Sequence, residues 1–131
     1  MRTFEAVAHL SLTVTDPDRS ADFYHRVFGT ETVLSTVDDV GPVTIVAGPS
    51  LMIALRRHPD TTEKDTFDPT RIGLDHVAFQ VPSRDELEAW RNNLVAQGVT
   101  FSEIVETTFG LHLNLKDPDN IALELFVPNP A

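Results

Sequence analysis

His9-Leu-Ser-Leu-Thr-Val-Thr-Asp16-Pro17 and Leu74-Asp-His76-Val-Ala-Phe-Gln-Val81 decide the fold, because the second stretch repeats the pattern of the first. Residues 7–15 alternate. Ala8, Leu10, Leu12 and Val14 share one face, and Val7, His9, Ser11, Thr13 and Thr15 the other, which is the period of a half-buried strand. Asp16-Pro17 then supplies an N-cap and a proline at the first helical position. Ala21, Tyr24 and Phe28 form an apolar stripe at helical spacing, and Gly29 is a suitable stop. In the second stretch, residues 73–81 place Val77, Phe79 and Val81 on one side and His76, Ala78 and Gln80 on the other. Ser83 and Glu86 make a capping box ahead of the stripe Leu87, Trp90 and Leu94, and Gly98 closes the helix.

Three short strands are expected after each helix. They fall at 32–37, 43–47 and 51–56, then at 99–106, 111–116 and 121–127. Gly41-Pro42, Gly48-Pro49 and Asp117-Pro-Asp-Asn120 punctuate them as turns. The polar stretch 58–71, with Pro59 and Pro69, reads as a linker. The order β-α-β-β-β therefore occurs twice. This predicts an α+β chain of one domain over residues 1–131, with modules at about 5–57 and 72–128. Each module has one helix for one sheet face, so the opposite faces remain for a cleft.

Strand parity predicts what lines that cleft. On 121–127, Ile121, Leu123, Leu125 and Val127 face the helix, leaving Ala122, Glu124 and Phe126 opposite. On 111–116 the opposite side carries His112, Asn114 and Lys116, and on 51–56 it carries Met52, Ala54 and Arg56. His9, His76, His112 and Glu124 thus share the side away from the helices. A carboxylate amid Ile-Ala-Leu-Glu124-Leu-Phe-Val is costly to bury unpaired. Two imidazoles and a carboxylate suit Fe(II), Mn, Co, Ni or Zn with open coordination positions. The competing reading is two ordinary histidines and a surface carboxylate on polar strand faces. By the same parity Ser11, Met52, Gln80 and Phe126 line the pocket. His112 and Asn114 touch substrate or face solvent, and Arg56 binds an anionic group or pairs with an acid. Tyr24 and Trp90 are expected in helix–sheet cores.

Composition narrows the partners. The charge of −10 opposes phosphate backbones and anionic membranes, and no basic stripe offsets it. No stretch reaches the roughly 20 apolar residues of a membrane helix, and the N-terminus lacks a signal-peptide pattern. A cytoplasmic protein with a small-molecule substrate is expected, without nucleic acid or membrane as partner. There is no cysteine, so thiolate ligands and thiol nucleophiles are excluded.

The segments His9-Leu-Ser-Leu-Thr-Val, Asp16-Pro-Asp-Arg-Ser-Ala-Asp-Phe-Tyr24, Leu74-Asp-His76-Val-Ala-Phe and Asp117-Pro-Asp-Asn-Ile-Ala-Leu-Glu124-Leu resemble the vicinal oxygen chelate superfamily. That superfamily includes glyoxalase I, fosfomycin-resistance transferases, extradiol dioxygenases, methylmalonyl-CoA epimerase and bleomycin-binding proteins. The resemblance implies two βαβββ modules paired into a cup-shaped mixed sheet with helices outside. It implies a divalent metal held by His9, His76 and Glu124, acting as Lewis acid on a bidentate oxygen substrate. Glu124 and His112 are then the candidate catalytic groups. Glyoxalase I has a fourth ligand at the position of Ala54, which cannot ligate. The phosphonate-binding arginine of fosfomycin transferases has no counterpart after Glu124. The leading expectation is a metal-dependent isomerase, lyase or transferase. The alternatives are a metal-free drug-binding protein and a ring-cleaving dioxygenase. The resemblance also implies a homodimer.

Overall fold

The structure is a computed structural model and describes residues 1–130. The chain divides into two compact units, residues 1–65 and the part from Thr66 onward. In the first, β1 (His9–Thr13) leads to α1 (Pro17–Phe28), then β2 (Glu31–Val37), β3 (Pro42–Ala47) and β4 (Met52–Arg56). In the second, β5 (Val77–Gln80) leads to α2 (Arg84–Ala96), then β6 (Val105–Thr107), β7 (Gly110–Lys116) and β8 (Ala122–Pro128). Each unit builds its own mixed four-stranded sheet, in the orders β1-β4-β3-β2 and β5-β8-β7-β6. In both, the opening strand pairs parallel to the last one, and the other pairings are antiparallel. The α+β expectation of two βαβββ modules holds.

Local chemistry sets the helices. Asp16 accepts from the backbone N–H groups of Asp18 and Arg19, and Pro17 occupies the first turn. Gly29 ends α1 with φ +67°, a conformation that suits a residue without Cβ. Ser83 caps α2 by accepting from the Glu86 N–H. The second helix is capped at Gln97, and Gly98 follows directly as the glycine stop that the sequence leads one to expect. The Val99 N–H donates to Leu94 O over 3.0 Å, so the glycine at φ +68° serves the exit turn.

The helices cover one face of each sheet. α1 packs on β3 and β4, and α2 on β7 and β8. Tyr24, Val46, Ile53 and Leu55 are buried in the first core, and Leu87, Leu94, Leu113, Leu123 and Leu125 in the second. Each such side chain contributes roughly 1.5–3 kcal/mol by leaving water. Tyr24 lies in the core as its helical stripe requires, stacked on Phe28 at 5.8 Å. Trp90 is only partly covered, a correction to the core expectation.

Other boundaries differ from the sequence expectation. The opening strands are shorter than 7–15 and 73–81, and His76 precedes β5 rather than lying within it. Only residues 105–107 of the expected strand 99–106 and its flank form a ladder, with Phe101 bridging Leu115 alone. Alternation marks which residues share a face; it does not supply a partner strand. The expected linker 58–71 is not a bare spacer. Arg57 holds the Thr15 and Thr61 carbonyl oxygens at its start. Near its end, the Phe67 N–H donates to Asp119 O and the Asn120 amide to Thr66 Oγ1.

Candidate functional site

The second unit brings imidazoles and carboxylates together. β8 places Glu124 opposite Asn114 of β7 and Ala78 of β5, on the face away from α2. The Glu124 side chain is nevertheless 8% exposed, because imidazoles cover it. Its Oε2 lies 3.0 Å from His76 Nε2, and its Oε1 contacts His112 Nδ1 directly. His112 in turn has Nε2 2.6 Å from Thr107 Oγ1, and its ring lies 4.9 Å from that of Phe126. The Phe109 N–H donates to the same Thr107 oxygen. The Glu124 carboxylate only accepts, so His112 Nδ1 donates to it, and Nε2 shares a hydrogen bond with the Thr107 hydroxyl.

His76 is different, because both of its ring nitrogens face carboxylates. Nδ1 lies 2.7 Å from Asp75 Oδ1, while Nε2 faces Glu124. Ionised carboxylates only accept hydrogen bonds. A neutral ring satisfies one of them and leaves two lone pairs opposed at the other. A second proton or a cation relieves that contact. The His76 pKa is accordingly raised above its ordinary value. The Asp75 hydrogen bond is the largest cause, the Glu124 charge adds to it, and partial burial opposes it. This N,O donor set fits a borderline divalent metal. Among the described residues, no group of three or more His, Asp or Glu side chains is disposed to hold an ion. Both imidazoles contact Glu124 itself.

The first unit carries a separate feature. The open face of its sheet forms a cavity of about 310 Å³ lined by His9, Ser11, Leu34, Thr36, Asp38, Val43, Ile45, Met52, Ala54 and Arg56. Parity explains the lining. His9 pairs with Met52 and Ser11 with Ala54 across the parallel β1–β4 ladder, so all four point the same way. Val43 and Ile45 reach that face from β3. Arg56 is held by Asp38, with Nη1 to Oδ1 at 2.7 Å and Nη2 to Oδ2 at 2.6 Å. This pair holds the Asp38 carboxyl well below its ordinary range, with the Arg56 hydrogen bonds the largest cause and the Val40 N–H the next.

Among the sequence candidates, His76, His112, Glu124 and Phe126 meet in the second unit. Asn114 and Gln80 are exposed on the same sheet, on strands next to β8. His9, Ser11, Met52 and Arg56 meet in the cavity of the first unit. Sequence reasoning missed Asp38, Asp75 and Thr107. Asp75 adjoins His76, so its adjacency was an available signal. Asp38 and Thr107 reach their partners only through hairpins, and nothing local to either residue marks them.

Comparison with known proteins agrees with this architecture. A family model described as the Glyoxalase/Bleomycin resistance protein/Dioxygenase superfamily matches residues 6–125. A glyoxylase/bleomycin resistance protein/dioxygenase domain from Frankia sp. EAN1pec is 35% identical, with TM-score 0.88 over 98% of this chain and 96% of that one. A trivalent organoarsenical cleaving enzyme from Bacillus sp. (strain MD1) is 28% identical over 91% of this chain and 71% of its own length. A variant of the fosfomycin resistance protein FosX from Listeria monocytogenes, complexed with Mn(II) and 1S,2S-dihydroxypropylphosphonic acid, shares the fold. It is 20% identical, with TM-score 0.73 over 97% of this chain and 95% of that one. Two βαβββ units, their paired opening motifs and a match over nearly the whole length lead to one conclusion: the chain belongs to the Glyoxalase/Bleomycin resistance protein/Dioxygenase superfamily.

Proposed function

We propose that the protein is a divalent-metal-dependent enzyme whose metal is bound by His76, Glu124 and His9, and which acts on a small molecule presenting two neighbouring oxygens. One observation carries the reading: a nearly buried carboxylate contacts an imidazole whose other nitrogen is already taken by Asp75. A carboxylate behind a ligating histidine fixes which ring nitrogen faces the metal and strengthens it as a donor. When bound, the metal supplies Lewis acidity to a bidentate oxygen ligand. Glu124 balances its charge. His112, oriented by Thr107 and lying against Phe126, would hold a proton at Nδ1, where it contacts Glu124. The apolar lining around Met52 and Ile45 receives the body of the substrate.

The relative named as a trivalent organoarsenical cleaving enzyme offers cleavage of an organoarsenical as another reading. Trivalent arsenic is soft and prefers thiolates, and this chain has no cysteine. The substrate class proposed here is therefore an oxygen chelate. A second reading, metal-free capture of a small molecule, is favoured by the cavity of about 310 Å³ in the first unit.

Calorimetric titration with Mn(II), Fe(II), Co(II), Ni(II) and Zn(II), on protein purified without an affinity tag, separates the two. One equivalent of metal is expected. Loss of an outer partner of a ligand already costs ~10–100-fold in affinity, so His76→Ala, Glu124→Ala and His9→Ala are each expected to cost about a hundredfold. Unchanged affinity in these variants overturns the metal reading and leaves the capture reading.

A further inference from the structure

We propose that Asp38 is a specificity residue: by pinning the Arg56 guanidinium on the open face of the first sheet, it makes the cavity there receive an uncharged, largely apolar group and turn anions away. The inference takes the cavity to be part of the substrate site proposed above. The exclusion of anions is a property of the first unit alone.

An arginine at the rim of a largely apolar cavity is ordinarily a ready anion receptor, with N–H donors in a rigid fork. Arg56 stands at the end of β4, in register with Val43, with its side chain 20% exposed. Asp38 occupies that fork at two points, 2.7 and 2.6 Å. Such a two-point pair is strong and geometrically selective.

Asp38 is not a loose surface side chain. Its Oδ1 also accepts from the backbone N–H groups of Val40 at 3.0 Å and Gly41 at 3.2 Å. Its own N–H donates to Gly41 O at 3.1 Å. Gly41 has φ +151°, and a Cβ there would lie 2.6 Å from Arg57 O, so the turn that presents Asp38 requires glycine. The carboxylate is thus fixed by the β2–β3 turn before any ligand arrives. A phosphate or carboxylate approaching Arg56 meets a neutralised fork and a fixed negative charge. The remaining polar lining is the His9 imidazole with the Ser11 and Thr36 hydroxyls, groups that can hydrogen-bond a neutral oxygen. The charge of −10 over the whole chain acts in the same direction.

The test is a solution NMR titration of the full chain without metal, following the Arg56 side-chain Nε–H and the amides of β3 and β4. Inorganic phosphate is one probe, and benzyl alcohol against benzoate is the other. In the wild type, phosphate is expected to give no saturable shift at Arg56. Benzyl alcohol is expected to move the cavity amides more than benzoate does. Asp38→Asn keeps an acceptor for the turn and is expected to bind phosphate at least about tenfold more tightly, a gain that disappears in Asp38→Asn/Arg56→Ala. Asp38→Ser, which also keeps a turn acceptor, serves if the asparagine variant does not fold. Saturable phosphate binding at Arg56 in the wild type, no gain in the variant, or an equal or larger response to benzoate overturns the proposal. Because no metal is present, failure here is distinct from failure of the metal reading.

Discussion

Two carboxylates show how environment turns the same group to different ends. Glu124 is nearly enclosed on its strand and is relieved by imidazoles, whereas Asp38 lies in a turn, 44% exposed, and is relieved by a guanidinium. The Asp38 pair has a defined pH signature. Its folded pKa lies below the ordinary value of 3.8, so its contribution to stability is full above that value. That contribution is lost as pH falls through the folded pKa, well into acid. Carboxyl-carbon NMR is expected to show Asp38 titrating below 3.8 in the wild type and returning towards it in Arg56→Ala. An ordinary midpoint in the wild type contradicts the pairing. Because the pair is open to solvent, its contribution to stability is screened.

At the level of elements, the β7–β8 ladder positions the polar cluster. Gly110 begins β7 opposite Pro128, with φ +149°. A Cβ there would lie 2.1 Å from Val127 O and 3.0 Å from the Phe126 ring. The backbones must move apart to admit it, and Phe126 is the residue against which His112 lies. Gly110→Ala is expected to destabilise the fold by roughly 1–3 kcal/mol, and to perturb the His112 and Phe126 resonances more than those of α2. Denaturant melts and side-chain NMR check both. Equal stability with unmoved His112 signals would show that the ladder absorbs the methyl group. The shortness of β6 and the position of His76 ahead of β5 also belong to this level. Pairing decides where a strand ends, and residues 99–104 meet β7 only around the Phe101–Leu115 bridge and the Ser102 N–H bond to Asn114 O, without a continuous ladder.

For the molecule as a whole, the open faces and edge strands invite pairing. β1 and β2 are edges of one sheet, and β5 and β6 of the other. β2 is exposed along its whole length and includes Val33 and Leu34. Unpaired strand edges and exposed apolar side chains are surfaces a second copy can cover. A homodimer is therefore proposed, with mixing of His9→Ala and Glu124→Ala chains as its functional test. If each site takes His9 from one chain and Glu124 from the other, each mixed dimer keeps one intact site of two, and a randomly paired equal mixture recovers about a quarter of the metal bound by the wild type. If each site lies within a chain, mixing recovers none. The described residues contain no helix long and apolar enough to cross a membrane. By itself the sequence determined the two βαβββ modules, their helix caps and the side of the strand on which His9, His112 and Glu124 lie. Those features depend on local periodicity and capping, which a single segment carries. Only the tertiary structure decided that Glu124 lies between His76 and His112, that Thr107 orients His112, and that Asp38 occupies the Arg56 fork. Each of those contacts needs two segments brought together by sheet register, which no single segment encodes.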